Sequence, residues 1–133
     1  MRTITLVIIH CSAVRPYQTS TAAQIDSWHR ARGWNGIGYH YVIYRDGSIR
    51  CGRNIDSIGA HCQGHNTGSI GICYIGGVSA DGHTPKDTRT PQQRQSLRRL
   101  VDTLQHLYLG ATVHGHNDYA AKACPSFRVE TDL

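Results

Sequence analysis

Residues 3–10 read TITLVIIH, and this stretch decides the kind of fold that the chain can form. Residues 3–9 are rich in β-branched and aliphatic side chains, and the run is apolar on both of its faces. Such a run is typical of a strand inside a sheet that is covered on both sides. The stretch therefore predicts a buried central strand, with His10 at its end.

The segment after this strand carries the signals of a helix and of a second strand. Thr21 and Gln24 have the spacing of a capping box, which predicts that a helix begins at Thr21. Gly33 is a typical helix stop, so the helix is predicted to end there. The β-rich residues 40–44 then predict the next strand.

The rest of the chain continues the alternation of strands and helices. An Asp-Gly turn at residues 46–47 predicts a hairpin into residues 48–50, and residues 69–75 predict a further strand. An apolar stripe predicts a helix over residues 90–110, and residues 111–114 predict a last short strand. The expected fold class is α/β: a central mixed β-sheet flanked by helices, formed by residues 1–133 as a single domain.

Composition and charge narrow the classes of function. Of 133 residues, 39% are hydrophobic and 17% are charged, which is typical of a globular domain. The net charge of +5 suits an anionic partner, but the positive residues form no dense run, so nucleic-acid binding is not expected. No apolar run is long enough for membrane insertion, and the protein is expected to be a monomer.

The cysteines and the first residues bear on the compartment. The five cysteines are an odd number, and no CxxC pair occurs among them. The apolar run near the first residue is short for a secretory signal and lacks a cleavage site after it. We therefore expect synthesis in a reducing cytoplasm and no disulfide bond.

Nine histidines direct attention to metal chemistry. His10 ends the first strand, His116 follows the last strand, and Cys124 comes eight residues later. Three ligands and one open position are typical of a catalytic zinc site. From spacing alone the assignment stays open: His114 competes with His116, strand-end histidines are often surface residues, and a cysteine before proline is often a small buried side chain.

A series of short motifs follows in order along nearly the whole chain. They are IHCSA at residues 9–13, WH at 28–29, RGW at 32–34, GYHY at 38–41, RDG at 45–47, GAH at 59–61, Asn66, SIGI at 69–72, GHND at 115–118 and KACPSF at 122–127. Together they resemble the type-2 N-acetylmuramoyl-L-alanine amidases, a family that includes small bacteriophage lysozymes of the amidase type and animal peptidoglycan recognition proteins.

The resemblance implies a fold, an activity and a set of site residues. It implies the fold of that family and hydrolysis of the amide between N-acetylmuramic acid and L-alanine in peptidoglycan. His10, His116 and Cys124 match the Zn²⁺ ligands, Tyr39 matches a catalytic tyrosine beside the metal, and Lys122 matches the catalytic lysine of phage enzymes. His61 and Asn66 become candidate residues of the substrate groove.

Other readings of the same chain remain open. A recycling amidase for soluble anhydromuropeptides would use the same chemistry, and a peptidoglycan-binding module would need no catalysis. An endolysin synthesised in the cytoplasm would act on the cell wall after release or export. Trp28 is expected in the core, and Trp34 is either a core residue or a sugar-binding platform. The surface is the expected place of His29, His83 and His106, whereas His40 and His65 stay unassigned.

Overall fold

The computed structural model of the protein describes residues 2–18 and 20–133. A five-stranded sheet in the order β3-β2-β4-β1-β5 forms its centre. The strands, in chain order, are β1 at Leu6–Cys11, β2 at Tyr41–Ile43, β3 at Ile49–Cys51, β4 at Ser69–Tyr74 and β5 at Thr112–Gly115. β1 pairs in parallel with β4 and β5, β2 pairs in parallel with β4, and β3 pairs antiparallel with β2. The mixed sheet predicted from the sequence is confirmed.

Three helices accompany the sheet: α1 at Ala22–Ala31, α2 at Pro91–Leu107 and the short α3 at Val129–Asp132. Both long helices begin with the capping boxes that the sequence predicts. The Thr21 side chain accepts from the backbone N–H of Gln24, and the Thr90 side chain accepts from that of Gln93. Each cap satisfies backbone donors that the first turn leaves free, which fixes where the helix starts.

One face of the sheet is covered by α2 and is called here the α2 face. Val7 and Ile9 of β1 and Ile70 and Ile72 of β4 point to it and pack on the apolar stripe of the helix. The stripe consists of Leu97, Leu100, Val101 and Leu104. This is the main hydrophobic core, and its side chains are almost fully removed from water.

The opposite face, called here the loop face, carries the alternate positions of the same strands. His10 of β1 pairs with Cys73 of β4, and Ile8 pairs with Gly71. Because side chains alternate along a strand, these residues point away from α2. α1 covers part of this face through Ile25, and loops cover the rest. The loop face is therefore buried but holds polar groups and a glycine where the α2 face holds aliphatic side chains.

Two expectations about α1 are wrong. Trp28 is 41% exposed, whereas His29 is buried beside Ile25. The His29 Nδ1 atom accepts a hydrogen bond from the backbone N–H of Gly38 at 2.9 Å, so the histidine has a buried partner that the sequence pattern does not reveal. β1 also begins at Leu6 and ends at Cys11, so His10 lies inside the strand, one residue before its end.

Within the described part of the chain, no helix is long and apolar enough to cross a membrane. All five cysteines are free thiols.

Candidate metal centre

Three potential metal ligands converge at one edge of the sheet. His10 lies near the carboxyl end of β1, His116 begins the 3₁₀ turn at His116–Asp118 that follows β5, and Cys124 lies in the next turn. β1 and β5 are parallel neighbours, so their carboxyl ends bring the two histidines together. One nitrogen from each histidine and the Cys124 Sγ atom all lie within 4.8 Å of one another.

The Cys124 thiol is held in place by the strand that carries His10. The backbone N–H of Cys11 donates to Cys124 Sγ at 3.2 Å. The same sulfur lies 3.9 Å from His10 Nδ1. A tetrahedral zinc ion with Zn–S near 2.3 Å and Zn–N near 2.0–2.1 Å implies a nitrogen–sulfur separation of about 3.6 Å. The donor types therefore fit zinc, and the His10–Cys124 distance is close to the separation in a tetrahedral zinc site.

His114, the competing histidine, turns away from this group. Its Nε2 atom lies 2.8 Å from the Thr112 hydroxyl, and its Nδ1 atom faces the Asp118 carboxylate at 3.9 Å. β5 ends at Gly115 and the chain enters the 3₁₀ turn at His116. That change of direction aims His116, and not His114, towards His10.

The electrostatics of the two histidines agree with a cation site. Burial, followed by the neighbouring His61 and His116, holds the pKa of His10 well below its ordinary value. Burial and then Lys122 lower the pKa of His116. Both rings are thus neutral at neutral pH, as a metal ligand must be.

The thiol at the site behaves in the opposite way. The pKa of Cys124 is raised, first by its hydrogen bond with the Cys11 thiol and then by burial. A thiol releases its proton when a divalent cation binds, so cation binding would reverse this direction.

Tyr39 packs directly against the group. Its ring centroid lies 5.1 Å from that of His10 and 5.4 Å from that of His29. Burial and then the nearby Cys73 thiol raise the pKa of Tyr39 well above its ordinary value. The phenol is therefore protonated and acts as a hydrogen-bond donor at neutral pH.

A cavity of about 560 Å³ is lined by His116, one of the three potential ligands. Lys122 is exposed and lines it together with His116. The remaining wall is a mixture of aromatic, cationic and amide side chains with short backbone segments. These residues are Arg32, Trp34, Ala60, His61, Cys62, Gln63, Asn66, Tyr119 and Ala120.

His61 and Asn66, the two candidate groove residues, both border this cavity but are engaged within the protein. The Asn66 Oδ1 atom accepts from the backbone N–H groups of His61 and Cys62, so it shapes the loop. His61 is buried, and its Nδ1 atom lies 2.8 Å from the Nε2 atom of His10. Their roles towards a substrate remain predictions.

Two further histidines of the loop face are structural residues that the sequence analysis missed or left open. His29 accepts from Gly38, as described above. The His40 Nδ1 atom accepts from the backbone N–H of Gly71 at 3.0 Å, and its Nε2 atom donates to the Ser57 carbonyl at 2.8 Å. No spacing signal marks either residue, because each partner is a backbone group distant in sequence.

Comparison with known proteins gives one consistent result. Residues 1–127 match the family described as N-acetylmuramoyl-L-alanine amidase. The endolysin of Escherichia phage T7 is 43% identical over 121 residues, which are 91% of this chain and 80% of the relative.

Solved structures agree with the sequence match. The N-acetylmuramoyl-L-alanine amidase LysC from Clostridium intestinale URNW superposes with a TM-score of 0.81 at 32% identity, covering 93% of this chain and 77% of that chain. A Drosophila PGRP-LB mutant in complex with tracheal cytotoxin gives a TM-score of 0.81 at 27% identity, covering 96% of this chain and 78% of that chain.

Proposed function

The chain belongs to the N-acetylmuramoyl-L-alanine amidase family, and we propose that it is a zinc-dependent enzyme that cuts the amide between N-acetylmuramic acid and L-alanine in bacterial peptidoglycan. The observation that carries the proposal is the convergence of His10, His116 and Cys124, with His116 lining an open cavity. A binding module has no need of this donor set, whereas a metallohydrolase does.

The three convergent residues are the proposed zinc ligands. Two imidazoles and one thiolate leave a fourth position of the metal open towards the cavity, as catalytic zinc sites require. When bound there, zinc supplies a Lewis acid that activates water and polarises the scissile carbonyl.

Tyr39 and Lys122 are the proposed catalytic side chains. The protonated Tyr39 phenol packs on His10 and donates a hydrogen bond that orients the attacking water. The Lys122 ammonium group lines the cavity beside His116 and faces the oxygen on which negative charge develops during attack. A preorganised positive charge at that oxygen stabilises the transition state more than the ground state.

The proposed substrate is a glycan strand with its stem peptides. The cavity is open and carries Arg32, Trp34 and amide side chains, which suit a ligand that combines sugar, peptide amide and carboxylate groups. The complex of PGRP-LB with tracheal cytotoxin supports a cell-wall fragment as the ligand of this fold. We expect an endolysin that is synthesised in the cytoplasm, reaches the wall after release or export, and acts as a monomer without nucleic acid.

Digestion of purified sacculi tests the proposal. Wild-type protein should release stem peptides with a free L-alanine amino terminus, identified by mass spectrometry. A zinc chelator should abolish the release, and added Zn²⁺ should restore it. His116→Ala serves as the inactive control, and a parallel digest of soluble anhydromuropeptides identifies a recycling enzyme. Binding to sacculi without turnover would contradict the proposal.

A further inference from the structure

His61 is the only residue that the described structure places in hydrogen-bonding contact with a ring nitrogen of a proposed ligand while also bordering the cavity. Its two ring nitrogens are both engaged. His61 Nδ1 lies 2.8 Å from His10 Nε2, and His61 Nε2 lies 3.2 Å from the Ser69 hydroxyl. A ring with both nitrogens occupied has no free polar atom to offer a substrate.

We propose that His61 is a positioning residue of the metal centre, which accepts the Nε2 proton of His10 and thereby fixes Nδ1 as the atom that His10 presents to the metal. The inference rests on the proposed function and deepens it. Metal-binding histidines generally donate their second ring N–H to a carboxylate, a carbonyl or water. Here the acceptor is a second imidazole.

The far end of the hydrogen-bond chain offers an acceptor for the proposed direction. The Ser69 hydroxyl lies 3.4 Å from the Asn66 carbonyl, which can only accept, so in the proposed direction the hydroxyl donates to this carbonyl and accepts from His61 Nε2. His61 then carries its proton on Nε2 and has a lone pair on Nδ1. In this arrangement His10 donates from Nε2, and its free Nδ1 lone pair faces Cys124 at 3.9 Å. The reverse direction would place a proton on the atom that faces the thiol.

The His61 ring packs closely against two glycines. A Cβ atom added at Gly71 would lie 2.7 Å from His61 Cγ and Cδ2, and one added at Gly59 would lie 2.6 Å from His61 Cδ2. Real Cβ atoms essentially never come this close to other heavy atoms, so only glycine at both positions leaves room for the ring. Asn66 fixes the backbone at the same point by accepting from the His61 N–H.

Metal affinity separates this role from that of a substrate contact. His61→Ala should weaken zinc binding by about 10- to 100-fold, the usual effect of losing a partner of a metal-binding histidine. The measurement is competition with a chromophoric chelator, and no substrate is needed. His61→Asn, which keeps an acceptor close to the position of Nδ1, should recover part of the affinity. His65→Ala is the matched control, because His65 is in the same loop but stacks on Tyr119 at 4.0 Å, and its zinc affinity should equal that of wild type.

The Co²⁺-substituted proteins give a second readout. His61→Ala should change the visible absorption bands of bound Co²⁺, since the orientation of the His10 ring changes, whereas His65→Ala should leave them as in wild type. Circular dichroism on each variant confirms that the fold is retained.

The tautomer of His10 in the metal-free wild-type protein tests the proposal without any substitution. Long-range ¹H–¹⁵N NMR should show the His10 and His61 protons on Nε2. A proton on His10 Nδ1 would overturn the proposal even if His61→Ala failed to fold.

The outcomes distinguish this inference from the proposed function. Wild-type protein without zinc affinity would overturn the proposed function and this inference with it. Equal zinc affinity of wild type and His61→Ala would overturn this inference alone. A raised KM in His61→Ala with unchanged zinc affinity and kcat would also overturn it and would assign His61 to the substrate groove.

Discussion

The two faces of the same sheet are built on different principles. The α2 face is an aliphatic layer in which Val7 and Ile9 meet a regular helical stripe. The loop face carries His10, Gly71 and Cys73 at the alternating positions and is covered by α1 and loops. One face therefore stabilises the fold by apolar burial, and the other arranges polar side chains at fixed distances. Alternate residues of the single strand β1 therefore contribute to stability on one face and to the candidate metal centre on the other.

The sharpest test of this division is Cys124→Ala. Loss of one ligand should release the metal and reduce hydrolysis of sacculi to background, while the cooperative unfolding transition of the metal-free protein changes little. Metal analysis and a turnover assay measure the effect. Cys51→Ala, at an exposed cysteine of β3, is the matched control and should behave as wild type. Retention of about one zinc per chain in Cys124→Ala would contradict the ligand assignment.

Lys122→Ala should act on the chemistry without touching the metal. We expect kcat to fall by about 10²–10³, because the charge on the attacked oxygen develops only in the transition state. Zinc content should stay unchanged, and Tyr39→Phe should give a smaller loss. Steady-state kinetics on a soluble muropeptide provide the measurement. Lys86→Ala, an exposed lysine outside the cavity, is the control; a rise in KM alone would make Lys122 a substrate-binding residue.

Leu97→Ala is the corresponding change on the α2 face. Leu97 is fully buried in the α2 stripe, so the substitution should lower the free energy of unfolding by about 2–5 kcal/mol. At temperatures where the variant is folded, zinc affinity and kcat should equal those of wild type. Leu107→Ala, at a residue 68% exposed, should change stability by less than about 0.5 kcal/mol. Loss of zinc affinity in folded Leu97→Ala would break the separation of the two faces.

The loss of stability of the metal-free protein at acid pH should also arise from residues of the loop face. Burial lowers the pKa of both His29 and His40, and each accepts a backbone hydrogen bond at Nδ1. As the pH falls, the unfolded chain therefore binds protons at these histidines before the folded protein does. Stability should fall as the pH drops below 6.5, the histidine pKa of the unfolded chain, towards the lowered pKa values of the folded protein.

Each extra proton bound by the unfolded chain contributes a slope of up to about 1.4 kcal/mol per pH unit. His29→Asn, which can accept from Gly38 without titrating in this range, should reduce the slope, whereas Leu97→Ala should leave it unchanged. Denaturant unfolding at a series of pH values measures both. Equal slopes in wild type and His29→Asn would refute the contribution of His29.

The α2 face could be predicted almost completely from the sequence. Its determinants are local: the capping box at Thr90 and an apolar stripe with helical period. The strand pattern of residues 3–9 likewise predicts a central strand because both of its faces are apolar. In such regions short-range propensity and burial agree, so little depends on distant residues.

The loop face could be predicted only where strand ends carry ligand side chains. His10, His116 and Cys124 were identifiable as a possible group, because strand ends and a following turn can meet at one edge. The placement of His61 depends on the absence of side chains at Gly59 and Gly71, which no periodicity records. On α1, His29 is buried and Trp28 is exposed, and the hydrogen bond that His29 accepts from the backbone N–H of Gly38 has no signal in the helical spacing.

The register of β1 has a consequence for assembly. His10 faces Cys124 with its ring, and the next residue, Cys11, holds the same sulfur through its backbone N–H. A slip of β1 by one residue would turn the imidazole towards α2 and withdraw the amide at the same time. Only the correct register of β1 brings His10, His116 and Cys124 together. A bound cation would therefore stabilise that register by mass action and would not stabilise a shifted one. Metal binding would then favour the register of β1 that is seen in the fold.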